Sequence, residues 1–297
     1  MRWTPGGESS DIEDRREEAG GGGGFGFGGG FGGIHIGLGG LLLLGVLSLI
    51  FHVNFFSILG GGAVAPTTAV RPAASPGQDA AENREVQFVS FVLDDVQHTW
   101  DQTLPAQANI PYRHAKMVLF RDYTQSGCGT AQSATGPFYC PEDEKVYLDL
   151  GFFQELSDRF GAPGEFAQAY VIAHEIGHHV QKLLGTEGKV RRLQQADRSE
   201  VNPLSVRLEL QADCYAGVWG NSTSQRKLID PSDIAAGLKA AAAVGDDRLQ
   251  RMATGHVSPE SFTHGSSADR MKWFKTGLDS GQISACNTFA GSPMSQR

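Results

Sequence analysis

Hydrophobic residues recur at helical spacing through residues 85–104, 164–184 and 203–219, which predicts a helix over each. An alanine-rich run at 231–253 and a mixed run at 267–277 predict two more. Residues 116–123 and 145–150 alternate and carry strand formers such as Val, Leu, Phe and Tyr, which predicts strands. The strands come early and the helices late, so the class is α+β.

Residues 34–62 contain no Asp, Glu, Lys or Arg, and their centre, Leu41 to Phe51, is strongly apolar. With its flanks this stretch reaches the ~20 residues that a bilayer span requires, so a transmembrane anchor is expected there. Residues 1–33 ahead of it are polar with mixed charge, then glycine with a few Phe, and predict an N-terminal tail with no core of its own. Residues 63–84, rich in Ala, Pro, Thr and Ser, read as an extended linker. Residues 85–297 suffice for one domain with a sizeable core. Ala63-Val64-Ala65 resembles a leader cleavage site, but Pro66 follows it, so the anchor is expected to stay attached. Arg2, Arg15 and Arg16 precede the span, and only Arg71 and Arg84 follow it closely. That bias puts the N-terminus in the cytoplasm and the domain outside.

The chemistry concentrates at His174-Glu175-Ile176-Gly177-His178. Residues i and i+4 of a helix share a face, so His174 and His178 can offer two imidazoles to one metal ion. Zinc suits them. Glu175 is placed to take a proton from a water activated by that metal. Apolar Tyr170, Val171, Ile172 and Ala173 precede the motif, as a buried helix requires, and His179 adds more imidazole than packing needs. Hydrolytic zinc takes three protein ligands. An extended motif with Gly at 181 and His at 184 is excluded by Gln181 and Leu184. Glu209 is the expected third ligand, on a mostly apolar helix where a carboxylate needs a partner. Asp213, one turn on, is expected to accept the free ring N–H of a ligand histidine.

His174 to Gln181 with Glu209 to Cys214 resembles the bacterial neutral zinc metallopeptidase family, as do Gly136 to Pro141, Val146 to Leu150 and Thr263 to Ser266. The resemblance covers nearly the whole chain. It implies a membrane-anchored zinc peptidase with a single zincin-like domain, but no particular substrate. It further implies an edge strand that pairs with extended substrate, for which Val146 to Leu150 is the candidate. A polar group facing the metal is implied at His264, where it would stabilise the oxyanion of the tetrahedral intermediate. Arg270 is a candidate partner for Asp213.

The reading is thus a zinc metallopeptidase acting on peptide or protein substrates. Its alternatives are a non-catalytic zinc-containing scaffold of the cell envelope and a zinc amidase acting on cell-wall peptides. Retention of Glu175 argues against the scaffold, because structural zinc needs no base. With a net charge of −8 and no basic cluster interleaved with aromatics, nucleic acid is not an expected partner. Cys128, Cys140, Cys214 and Cys286 all follow the apolar stretch. An even number suits two disulfides in an oxidising compartment. Three pairings are possible, and Cys128–Cys140 with Cys214–Cys286 is preferred. The expected location is the bacterial cytoplasmic membrane, with the catalytic domain on its outer, periplasmic side.

Overall fold

The structure, a computed structural model, describes residues 1–18, 76–292 and 294. Strands β1 (Ile12–Asp14), β2 (Lys116–Phe120), β5 (Phe138–Cys140) and β6 (Lys145–Asp149) form a sheet in the order β1-β2-β6-β5. The β1–β2 and β2–β6 pairs are parallel, and β5 runs antiparallel to β6. Strands β3 (Tyr123–Ser126) and β4 (Gly129–Gln132) form a separate hairpin between β2 and β5. The strand predicted over 116–123 therefore stops at Phe120. Asp122 takes a positive φ of 61°, a left-handed conformation that turns the chain into the hairpin.

The helices are α1 (Pro76–Ala108), α2 (Gly151–Asp158), α3 (Glu165–Leu183), α4 (Thr186–Ala196), α5 (Val201–Gln225), α6 (Pro231–Ala243), α7 (Asp246–Thr254) and α8 (Ser267–Ser280). Along α1, Val89, Val92, Leu93, Val96, Trp100 and Leu104 are fully buried, a stripe at helical spacing. Trp100 meets Tyr215 of α5 edge-on at 5.5 Å. Phe166 of α3 stacks on Trp219 of α5 at 5.5 Å and 13°. The indole N–H of Trp219 donates to Asp95 at 2.8 Å, so its polar atom is satisfied inside the core. Truncating either tryptophan to Ala is expected to cost ~3–5 kcal/mol.

Three differences from the sequence reading matter for the site. The helix predicted over 231–253 is two helices, broken at Gly245. Gly245 is extended, at φ −72° and ψ 140°, which interrupts the helical run, and a Cβ there would lie 2.4 Å from the Ser267 backbone nitrogen, so the position requires glycine. The strand β6, offered as the substrate-binding edge, is internal to the sheet, and the edge is β5. Residues 1–18, expected in a tail, are packed against the domain through β1, where Ile12, Glu13 and Asp14 pair with Met117, Val118 and Leu119. The predicted anchor at 34–62 lies outside the described residues. Among the described residues no helix is long and apolar enough to cross a membrane.

Both expected disulfides are present, Cys128–Cys140 and Cys214–Cys286. The first joins the β3–β4 hairpin to the edge strand. The second joins α5 to the C-terminal segment.

Candidate metal centre

Helix α3 is buried along most of its length, as its apolar sequence demands. His174 and His178 stand one turn apart on it, with ring centroids 4.9 Å apart. Gly177 sits where α3 crosses α5 backbone to backbone. A Cβ at 177 would lie 2.9 Å from the Ala212 carbonyl oxygen, so only glycine permits this approach. The crossing brings Glu209 of α5 to the histidine pair. One donor atom from each of His174, His178 and Glu209 lies within 4.8 Å of the others.

The residues behind these donors set their orientation. His174 Nδ1 donates to Asp213 Oδ1 at 2.9 Å, which turns Nε2 toward Glu209 Oε2 at 3.2 Å. Asp213 is completely buried and is held in turn by Arg270 of α8, whose Nε donates to Oδ2 at 2.8 Å and Nη2 to Oδ1 at 2.9 Å. The Tyr170 hydroxyl also donates to Asp213. His178 Nδ1 donates to Gln181 Oε1 at 2.9 Å, while Gln181 Nε2 donates to the Leu208 carbonyl at 2.7 Å. Each imidazole thus has one nitrogen anchored and the other, Nε2, within reach of Glu209. Two imidazoles and one carboxylate fit the donor set of a hydrolytic zinc site with an open position.

Burial works to lower the pKa of His174, but Asp213 and Glu209 outweigh it and hold the ring protonated up to about 10. Burial likewise opposes ionisation of Glu209, yet the two histidines overcome it and keep this carboxylate well below its ordinary range. Glu175, beside His174 and nearly buried, is pushed up to about 7, chiefly by burial. A backbone hydrogen bond from Tyr139 on β5 works in the other direction.

All four residues open onto one cavity of about 410 Å³. Its walls include Phe138 and Tyr139 of β5, the aromatic pair Phe152 and Phe160, and Leu249 of α7. His264 lines it too, with Nδ1 3.2 Å from Asp246 Oδ1 and 3.0 Å from Thr263 Oγ1. Asp246 Oδ2 also accepts the backbone N–H groups of Thr263, His264 and Gly265, at 2.7, 2.6 and 3.0 Å. This carboxylate shapes the whole loop. His264 is raised above its ordinary value: burial opposes the charge, but Asp246 and Glu209 outweigh it.

The residues picked out from sequence are brought together here: His174, Glu175, His178, Glu209, Asp213, His264 and Arg270. His179 is not among them. It is buried facing away, between the Tyr139 hydroxyl at 3.0 Å and the Arg113 carbonyl at 2.7 Å, and it ties α3 to the edge strand. Sequence reasoning missed Tyr170, Gln181 and Asp246. Tyr170 lies four residues before His174, one turn away on the same face. Gln181 follows His178 by three. For Asp246 the signal was Gly245-Asp246-Asp247 interrupting an alanine-rich run.

A helix-borne histidine pair joined by a carboxylate from a second helix, open to a cavity, has the donor arrangement of a mononuclear zinc hydrolase. Comparison with known proteins gives the same class. The family described as "Putative neutral zinc metallopeptidase" matches residues 1–289, and the chain belongs to that family. It is 48% identical to the uncharacterized protein YpfJ of Escherichia coli K12 over 295 residues, covering 98% of this chain and all of the relative. It is 44% identical to the uncharacterized protein Rv2575 of Mycobacterium tuberculosis H37Rv over 230 residues, 73% of this chain and 75% of that protein. No solved structure matches the chain.

Proposed function

We propose that this protein is a zinc-dependent endopeptidase whose metal is held by His174, His178 and Glu209, with Glu175 as general base. The observation that carries this reading is the convergence of those three donors beside Glu175 in one cavity. Zinc bound there would polarise the scissile carbonyl and acidify a water. Glu175 takes the proton as that water adds to the carbonyl carbon, then delivers it to the amine nitrogen as the C–N bond breaks. His264, steered by Asp246, donates to the developing oxyanion. Asp213, clamped by Arg270 and Tyr170, keeps His174 in its ligand tautomer.

The apolar walls favour peptide over sugar-linked substrates, and a large apolar side chain beside the scissile bond. The free edge of β5 can extend the sheet with an incoming peptide strand. Two disulfides in the domain support an oxidising, extracytoplasmic location, and the apolar stretch at 34–62 supports attachment to the membrane.

The test uses purified full-length protein, loaded with zinc and assayed on casein, on quenched peptides varied around the cleavage site, and on peptidoglycan. Chelator-sensitive cleavage of peptides next to Phe or Leu is expected, with Glu175→Gln retaining zinc and losing turnover. Turnover by metal-loaded Glu175→Gln would remove the proposed base. Release confined to peptidoglycan would move the enzyme to the amidase class.

A further inference from the structure

We infer that residues 1–18 lie in the same compartment as the catalytic site, so that Glu18 and Pro76 stand on one side of any membrane. The strand β1 is bonded into the sheet: Met117 N–H donates to the Asp11 carbonyl at 2.8 Å, and Arg15 N–H to that of Leu119 at 2.8 Å. Asp11 is buried, and among the described residues its carboxylate is satisfied by groups of the domain. Lys116 Nζ donates to it at 2.8 Å, Gln97 Nε2 at 2.8 Å, and His114 Nδ1 lies 2.6 Å away. Glu13 reaches past β2 to Lys145 of β6, at 2.7 Å. Trp3 packs edge-on against Phe88 of α1 at 5.3 Å, and Arg2 N–H donates to the Leu228 carbonyl at 2.7 Å.

These contacts reach α1, β2, β6 and the loop before α6. A hydrocarbon layer ~30 Å thick cannot stand between atoms that are hydrogen-bonded. A chain crossing it an odd number of times between Glu18 and Pro76 would leave Asp11 and Lys116 on opposite faces. The cytoplasmic N-terminus expected from arginine bias requires one such crossing. Two of the arginines behind that bias are themselves part of the docked arm: Arg15 pairs with Glu13 at 2.7 Å, and Arg16 with Asp14 at 2.6 Å.

The experiment is cysteine labelling of the full-length protein, expressed in Escherichia coli and examined in spheroplasts. The four native cysteines are paired, so an introduced thiol is the reactive one. Glu8→Cys reports on the arm and Arg251→Cys on the domain, both at exposed surface positions. A membrane-impermeant maleimide is applied before and after detergent lysis, the lysed sample confirming that each thiol is reachable in folded protein. Both sites are expected to label to the same extent in intact spheroplasts. Labelling of Arg251→Cys with Glu8→Cys protected until lysis, or the reverse, overturns the inference. Protection of both until lysis supports it and instead overturns the extracytoplasmic placement proposed above.

Discussion

Asp213 Oδ1 accepts from His174 Nδ1 at 2.9 Å while Arg270 grips the same carboxylate through two nitrogens. The carboxylate therefore does two things: it orients a ligand and it neutralises a buried guanidinium. Substitutions that separate these roles should behave differently. Asp213→Asn preserves shape and is expected to weaken zinc affinity by roughly 10–100-fold. Asp213→Asn removes the charge but keeps an acceptor oxygen for Arg270, whereas Asp213→Ala removes both and is expected to cost about 3–5 kcal/mol of stability. Chelator competition and urea unfolding measure the two effects. Equal stability of the two variants would sink the dual role.

Glu209→Ala should abolish tight zinc binding and activity together, because it removes the one anionic donor shared by both histidines. Zinc content after dialysis against a weak chelator checks this. Stoichiometric zinc in Glu209→Ala would show that another residue completes the donor set.

Zinc must displace the proton that His174 holds up to about 10 in the metal-free protein. Below that pH, binding releases a proton, so affinity rises with pH by roughly tenfold per unit between 7 and 9. Calorimetry in buffers of different ionisation enthalpy reads the proton directly. A pH-independent affinity over that window would contradict the assignment.

Docking of the N-terminal arm should also depend on pH. His114 is raised: burial opposes, but Asp101 and Asp11 outweigh it. Its contribution is full below the unfolded value of 6.5 and is lost as pH rises through the higher folded value. Asp11 is lowered: burial opposes, but Lys116 and His114 outweigh it. Its contribution is full above 3.8 and is lost as pH falls through the lower folded value. The arm is thus held best between about 4 and 6.5, and above that window the contribution of His114 declines until the pH has passed its higher folded value. After correction for intrinsic exchange, protection of the β1–β2 amides should fall as pH rises above 7. The His114→Ala variant should lack this fall.

Gly177→Ala would force a Cβ toward the Ala212 carbonyl and part α3 from α5. Overpacking of this kind typically costs about 1–3 kcal/mol. Here it should also lower zinc affinity, since the crossing sets the distance from Glu209 to the histidines. Thermal unfolding alongside zinc titration tests both. A stable Ala variant with unchanged affinity would show that the crossing has slack.

The grouping of His174, His178 and Glu209 was readable from sequence because each signal is local. His174 and His178 are one turn apart, and Glu209 and Asp213 repeat that spacing on a helix too apolar to carry idle carboxylates. For Asp246 only the break in the alanine-rich run was readable, not its role. That role depends on the backbone N–H groups of Thr263, His264 and Gly265, and no periodicity reports a contact between residues so distant in sequence. The edge strand was misplaced for a similar reason. Phe138–Cys140 is three residues long, too short for alternation to register, whereas β6 is longer and more deeply buried because it is interior. Strand β1 was hidden among charges, since Asp11 and Glu13 are held by lysines that the sequence places more than 100 residues away.

The Cys214–Cys286 bond begins one residue after Asp213, and Gln211 Nε2 donates to the Cys286 carbonyl at 3.0 Å. Both sulfurs are buried, so a reductant reaches them only when this part of the fold opens. The tie that braces the metal helix therefore records where the chain matured. A molecule folded among reducing thiols would carry the same ligands on an unbraced helix, with the catalytic geometry left to packing alone.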